Sequence, residues 1–365
     1  MTTAVDRILN FSAGPAVLPL PVLEAARRDL VALPGVGMSI LEISHRSRTF
    51  EEICSGAESD FKKLGAIPEG YQVLFLQGGA TLQFSMLPMN LLPAGGTADY
   101  LETGVWSEKA IVEAEKIGNV HVAASSKATH HDRIPTAGEI RYSASPAYVH
   151  MTSNNTIFGT QWHHLPEVPA GVPLVSDASS DIFCRPMDFS RFGVVYAGAQ
   201  KNLSIAGLTV VVIREDLLAR VPPDVGVYLK YATHAKERSL YNTPAVFAIY
   251  ILRLVLAWLL DNGGLAAMEA KNRRKAGKLY AELDRSGFWR PHAQRDSRSW
   301  MNVTFRLPSE ELEKRLVAEA TQAGLDGLKG HRSVGGVRAS IYNAFPEEGV
   351  EALVAFLRDF ERRNG

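Results

Sequence analysis

Along the first two thirds of the chain, short apolar runs alternate with stretches in which apolar positions recur every three or four residues. The runs are Gln72–Leu76, Thr97–Leu101, His121–Ala124, Ala147–Met151, Leu174–Ser176, Val194–Ala197 and Thr209–Ile213. Short, nearly continuous apolar runs predict strands covered on both faces, as in a mostly parallel sheet. Helical spacing over Pro21–Leu33 and Thr81–Leu92 predicts the covering helices, and Pro21 is well tolerated in a first turn. The longest apolar run, Ala245–Leu260, contains Arg253 and is too short to span a bilayer comfortably, so it predicts a buried helix. Asp261-Asn262-Gly263-Gly264 is its stop.

Beyond that stop the pattern changes. Leu265–Ser286 has the spacing of a charged amphipathic helix, and Met301–Phe305 alternates like a half-buried strand. Ser309 is placed to cap a helix running to Gly324. Short strands are expected near Leu328 and over Val337–Ile341, and a last helix places Val350, Leu353, Val354, Leu357 and Phe360 on one face. The expected organisation is an α/β domain over residues 17–262 and a smaller α+β domain over 263–365. Residues 1–16 are expected to pack with the smaller domain.

Composition narrows the function classes. The 365 residues are 46% apolar and 21% charged, with 39 basic and 39 acidic side chains. A net charge of zero gives no support to nucleic-acid or polyanion binding, so anions must be recognised by a few placed cations. The two cysteines, Cys54 and Cys184, are far apart and argue against a disulfide scaffold or a thiolate zinc site. No apolar signal core is seen near the N-terminus, and a soluble, cytoplasmic protein without a membrane segment is expected.

The candidate chemistry centres on Lys201. It follows the apolar, strand-like run that starts at Val194 and ends in small residues, and it is the only lysine between Lys127 and Lys230. Asp177 ends another apolar run, where open α/β sheets place their ligands. A lysine can hold pyridoxal phosphate as a Schiff base, and an aspartate can keep its pyridine nitrogen protonated. Gln77-Gly78-Gly79-Ala80-Thr81 is a strand-to-helix turn whose amides could bind phosphate. Trp106 follows a strand and could stack on a ring. Arg338, inside the run Val337–Ile341, needs a partner or a ligand. Each feature alone has a plainer explanation: a capping aspartate, a surface lysine, a core tryptophan, a simple turn.

Together these pieces resemble the phosphoserine aminotransferases, class-V members of the fold-type-I pyridoxal-phosphate enzymes. The resemblance runs from Asn10-Phe11-Ser12-Ala13-Gly14-Pro15-Ala16 and Ser44-His45-Arg46 through Ala197-Gly198-Ala199-Gln200-Lys201-Asn202 and Tyr241-Asn242-Thr243-Pro244. It closes with Lys329-Gly330-His331-Arg332 and Arg338-Ala339-Ser340-Ile341. It implies a central, mostly parallel sheet with helices on both faces and a small α+β C-terminal domain. It also implies that Lys201 and Asp177 are catalytic, that Trp106 stacks on the cofactor ring and that Thr156 meets its phenolic oxygen. Ala80, Thr81 and Gln200 would cradle the phosphate, joined by Asn242 and Thr243 from the other subunit of a homodimer. Some members carry a third glycine and an arginine where this chain has Ala80-Thr81. Arg338 would clamp the α-carboxylate, and His45, Arg46, His331 and Arg332 would take the substrate's distal anion.

The implied reaction is amino transfer between L-glutamate and 3-phosphohydroxypyruvate, giving phosphoserine and 2-oxoglutarate in L-serine biosynthesis. The alternatives are another fold-type-I aminotransferase, of the alanine–glyoxylate type, and a non-catalytic protein that binds a phosphate ligand. A cysteine desulfurase is disfavoured because neither cysteine sits in an evident polar loop.

Overall fold

The computed structural model describes residues 7–365. The first six residues of the expected 1–16 segment lie outside it. The chain opens with β1 (Leu9–Asn10), α1 (Leu20–Asp29) and α2 (Arg48–Gly65), the last capped by Ser47, which accepts from the Phe50 amide. Strands and helices then alternate: β2 (Tyr71–Leu76), α3 (Gly79–Leu91), β3 (Thr97–Glu102), α4 (Val105–Ala114) and β4 (Asn119–Ser125). β5 (Pro146–Thr152) leads into a small hairpin, β6 (Asn154–Asn155) and β7 (Thr160–Gln161). β8 (Leu174–Asp177), β9 (Val194–Gly198), β10 (Thr209–Arg214), α5 (Tyr231–Lys236) and α6 (Val246–Asp261) follow.

Seven strands form one sheet in the order β2-β10-β9-β8-β5-β3-β4. β10 is antiparallel to both neighbours, and the remaining pairings are parallel. Alternate residues serve opposite cores. Val149, Met151, Val195, Ala197, Val210 and Val212 pack against α1, α2 and α6, whereas Tyr148, Val175, Tyr196 and Val211 pack against α3 and α4. Burial on both faces explains why the strands read as unbroken apolar runs. β4 departs from that rule because it is an edge strand, and Val122 is exposed there.

The first helix ends at Asp29, short of the expected Leu33. Pro34 disfavours helix in the residue before it, and the chain turns through Gly35 and Gly37 at φ 78° and 80°. At the other boundary, α6 and α7 (Gly264–Leu283) meet at 83° through Gly263 and Gly264, both at positive φ. No single helix among the described residues is long and apolar enough to cross a membrane.

The C-terminal part continues with β11 (Arg290–Pro291), β12 (Asn302–Arg306), α8 (Glu310–Gln322), β13 (Leu325–Asp326), β14 (Val337–Ser340) and α9 (Glu347–Asn364). Ser309 caps α8 by accepting from the Leu312 amide. β11, β12 and β14 form an antiparallel sheet with its own core, which includes Val350, Leu353, Leu357 and Phe360 of α9. β13 lies at Leu325–Asp326, not at Leu328, and pairs in parallel with β1. Gly327 follows at φ 82°, and a Cβ there would meet the Ser12 amide nitrogen at 2.6 Å. Phe11 enters the same core, its ring 4.4 Å from that of Phe345.

Candidate active site

The site is assembled at the carboxyl ends of β5, β8 and β9, where parallel strands bring sequence-distant residues to one edge. Asp177 ends β8 opposite Tyr196 of β9, and Lys201 follows β9 by three residues. A cleft of about 110 Å³ is lined by Gly79, Ala80, Thr81, Trp106, Thr156, Asp177, Gln200 and Lys201, together with Phe84, Thr152, Asn154, Ser179 and Ser180.

Asp177 is buried, and its Oδ1 accepts from both the amide and the hydroxyl of Ser179, at 3.0 and 2.6 Å. The aspartate thus forms a local turn, and its other oxygen is left for a ligand. Burial pushes its pKa up, against the Ser179 hydrogen bonds and the charge of Lys201. Lys201 Nζ donates to Thr156 Oγ1 at 2.9 Å and lies 5.5 Å from the centre of the Trp106 ring. Burial lowers its pKa to about 8; Asp177 opposes that shift, and Arg338 adds to it. Gly14, at φ 142°, crosses the lysine stem so closely that a Cβ would stand 3.1 Å from Lys201 Cγ.

The anion end lies at the start of α3. Gly78 and Gly79 take φ values of 93° and 65°, and no side chain caps the helix. The first amides of a helix have no acceptor within it, so those of Gly79, Ala80 and Thr81 are available to a phosphate in the cleft.

Arg338 on β14 is half-buried, and its Nε is buried with no hydrogen-bond partner. Its charge is felt by both Lys201 and His331. Arg332 sits exposed beside His331 in the loop ahead of β14. His45 and Arg46 lie in the turn before α2 and do not line the cleft of their own chain. Asn242 and Thr243 do not line it either, although Asn242 Nδ2 donates to Gln77 Oε1 at 3.3 Å, two residues before α3.

Several lining residues escaped sequence reasoning. Thr152 and Asn154 close the Ala147–Met151 run, so the strand-end rule that found Asp177 could have found them. Thr152 Oγ1 is buried without a partner. Lys109, one helical turn after Trp106, places its ammonium 4.8 Å from that ring, a helical spacing the sequence displays.

This donor set fits pyridoxal phosphate: a carboxylate for the ring nitrogen, a lysine and a hydroxyl for the aldehyde and phenolic oxygen, an indole for the ring face and a helix N-terminus for the phosphate. Comparison with known proteins agrees. The family model "Aminotransferase class-V" matches residues 8–353. A phosphoserine aminotransferase of Herpetosiphon aurantiacus is 56% identical, covering 98% of this chain and 99% of its own. The structure of phosphoserine aminotransferase from Bacillus circulans subsp. alkalophilus superposes with a TM-score of 0.96 at 51% identity, over 98% of this chain and 99% of that one. A phosphoserine aminotransferase from Trichomonas vaginalis, solved with pyridoxal phosphate bound, gives 0.93 at 38% identity, over 96% and 100%. The chain therefore belongs to the class-V aminotransferases, and within them to the phosphoserine aminotransferases.

Proposed function

We propose that this protein transfers the amino group between L-glutamate and 3-phosphohydroxypyruvate, giving phosphoserine and 2-oxoglutarate. The observation that carries the reading is the Lys201–Thr156–Asp177–Trp106 constellation beside the open start of α3, in a chain 56% identical to a phosphoserine aminotransferase. Bound pyridoxal phosphate supplies an aldehyde that condenses with amines and a ring that accepts the electron pair left when a Cα–H bond breaks. Lys201, its pKa lowered to about 8, keeps an appreciable neutral fraction near pH 7 to bind the aldehyde and then to move the Cα proton. Asp177 holds the proton on the ring nitrogen. Trp106 orients the ring, and the α3 amides with Thr81 and Gln200 hold the phosphate.

Arg338 takes the α-carboxylate common to both substrates, and His331 and Arg332 take the distal anion. His45, Arg46, Asn242 and Thr243 complete the site from a second copy of the chain in a homodimer. The alanine–glyoxylate alternative lacks comparable support from relatives.

The test is a substrate panel read by the absorbance of the bound cofactor, covering phosphoserine, glutamate, alanine and phosphohydroxythreonine. Phosphoserine and glutamate should each convert the cofactor fully, alanine poorly, and Lys201→Arg should abolish both conversions. A preference for alanine, or turnover by Lys201→Arg, would overturn the assignment.

A further inference from the structure

The loop between β13 and β14, which carries His331 and Arg332, is closed on itself. The Gly330 amide donates to Gly336 O at 2.9 Å, and the Val334 and Gly335 amides donate to His331 O at 3.0 and 2.8 Å. Glycine makes the closure possible. A Cβ on Gly330 would lie 1.9 Å from Gly335 O, and Gly335 and Gly336 have φ values of 73° and 71°.

An ion pair outside the loop grips its backbone. Arg306, at the end of β12, donates through Nε to Glu313 Oε1 and through a terminal nitrogen to Val334 O at 2.9 Å. Glu313, on α8 with a side chain only 8% exposed, accepts from the Gly336 amide through its other oxygen at 3.1 Å. Each partner of the pair therefore makes one bond to the loop, and neither lines the cleft.

We infer that Arg306 and Glu313 are positioning residues for distal-anion recognition, holding the loop so that His331 and Arg332 are presented to the substrate's phosphate. This rests on the recognition role proposed for those two residues. Side chains on a glycine-rich loop must be ordered before they can bind, and a clamp that orders them in advance removes that cost from binding. A phosphate offers more oxygens and more charge than the glutamate carboxylate, so phosphoserine gains more from the clamp.

The experiment uses holoenzyme mixed rapidly with phosphoserine or glutamate, following cofactor absorbance. Arg306→Met, which keeps the alkyl stem and loses the fork, should weaken phosphoserine binding about ten-fold, the size of one charge-assisted hydrogen bond, and glutamate binding about two-fold. The limiting rate should not change, Arg306→Lys should restore part of the loss, and Arg306→Met should add little to Arg332→Ala. Equal losses for both substrates, or full additivity with Arg332→Ala, would show a merely structural pair and overturn the inference. Should Arg306→Met not fold, Glu313→Gln, which keeps the side chain's volume, is read in the same way. If Arg332→Ala and His331→Ala leave phosphoserine binding unchanged, the recognition role itself is wrong and the inference falls with it.

Discussion

Replacing the active-site lysine should make the cofactor-free protein more stable. Lys201 carries its ammonium into a site whose burial lowers its pKa from 10.5 to about 8. In the unfolded chain the amine keeps its proton up to the higher value; in the folded chain it releases it near the lower one. Between these values the unfolded state binds more protons, so stability rises with pH across that window. The penalty is complete below about pH 8. A shift of 10.5 − 8, at about 1.4 kcal/mol per unit, is on the order of 3 kcal/mol. The lysine opens onto the cleft, and solvent screening brings this to roughly 1–3 kcal/mol. Lys201→Met keeps the stem and removes the charge, while Asp177 retains both bonds from Ser179. Urea denaturation of cofactor-free wild type and variant at pH 7 and pH 10 should show the variant more stable at pH 7 and the gap narrowing at pH 10. A variant no more stable than wild type at pH 7, or a gap that does not depend on pH, would refute the reasoning.

Arg338→Lys exchanges a planar fork for a point charge and should raise KM about ten-fold or more for glutamate and phosphoserine alike. A change confined to phosphoserine would show that Arg338 meets the distal anion instead. Lys275 is fully buried and donates to the carbonyls of Ile341, Tyr342 and Phe345 at 2.8, 2.6 and 3.2 Å. Lys275→Met leaves those acceptors unpaired and should cost about 2–4 kcal/mol in denaturant unfolding, with the spectrum of bound cofactor unchanged.

How far the site was legible differs from residue to residue. Asp177 and Lys201 could be picked out because each ends an apolar run, although a capping aspartate or a surface lysine would explain either one alone, and only the pair points to a cofactor. Thr156 was named only through family resemblance, because nothing in Asn154-Asn155-Thr156 announces a hydroxyl 2.9 Å from an amine 45 residues later. Thr152, Asn154 and Ser179 are legible by the same rule, since each stands at or just past the carboxyl end of an apolar run. Arg306 and Glu313 carried none, since an arginine at a strand end and a glutamate in a first helical turn are ordinary surface patterns. Their significance lies in the loop they reach.

The alternation of apolar runs and helical stretches by itself determined the α/β architecture, because burial on both faces of a parallel sheet leaves no other pattern for its strands. Local chemistry settled the helix cap at Ser309 and the break at Gly263-Gly264, since these depend only on adjacent backbone. Strand order was decided by tertiary structure alone. β8 lies between β5 and β9, and that placement puts Thr152, Asp177 and Lys201 at one edge. The same holds for the pairing of β1 with β13, which draws Gly14 across the Lys201 stem. These are contacts between residues remote in sequence, and no periodicity along a chain encodes which remote segments will meet.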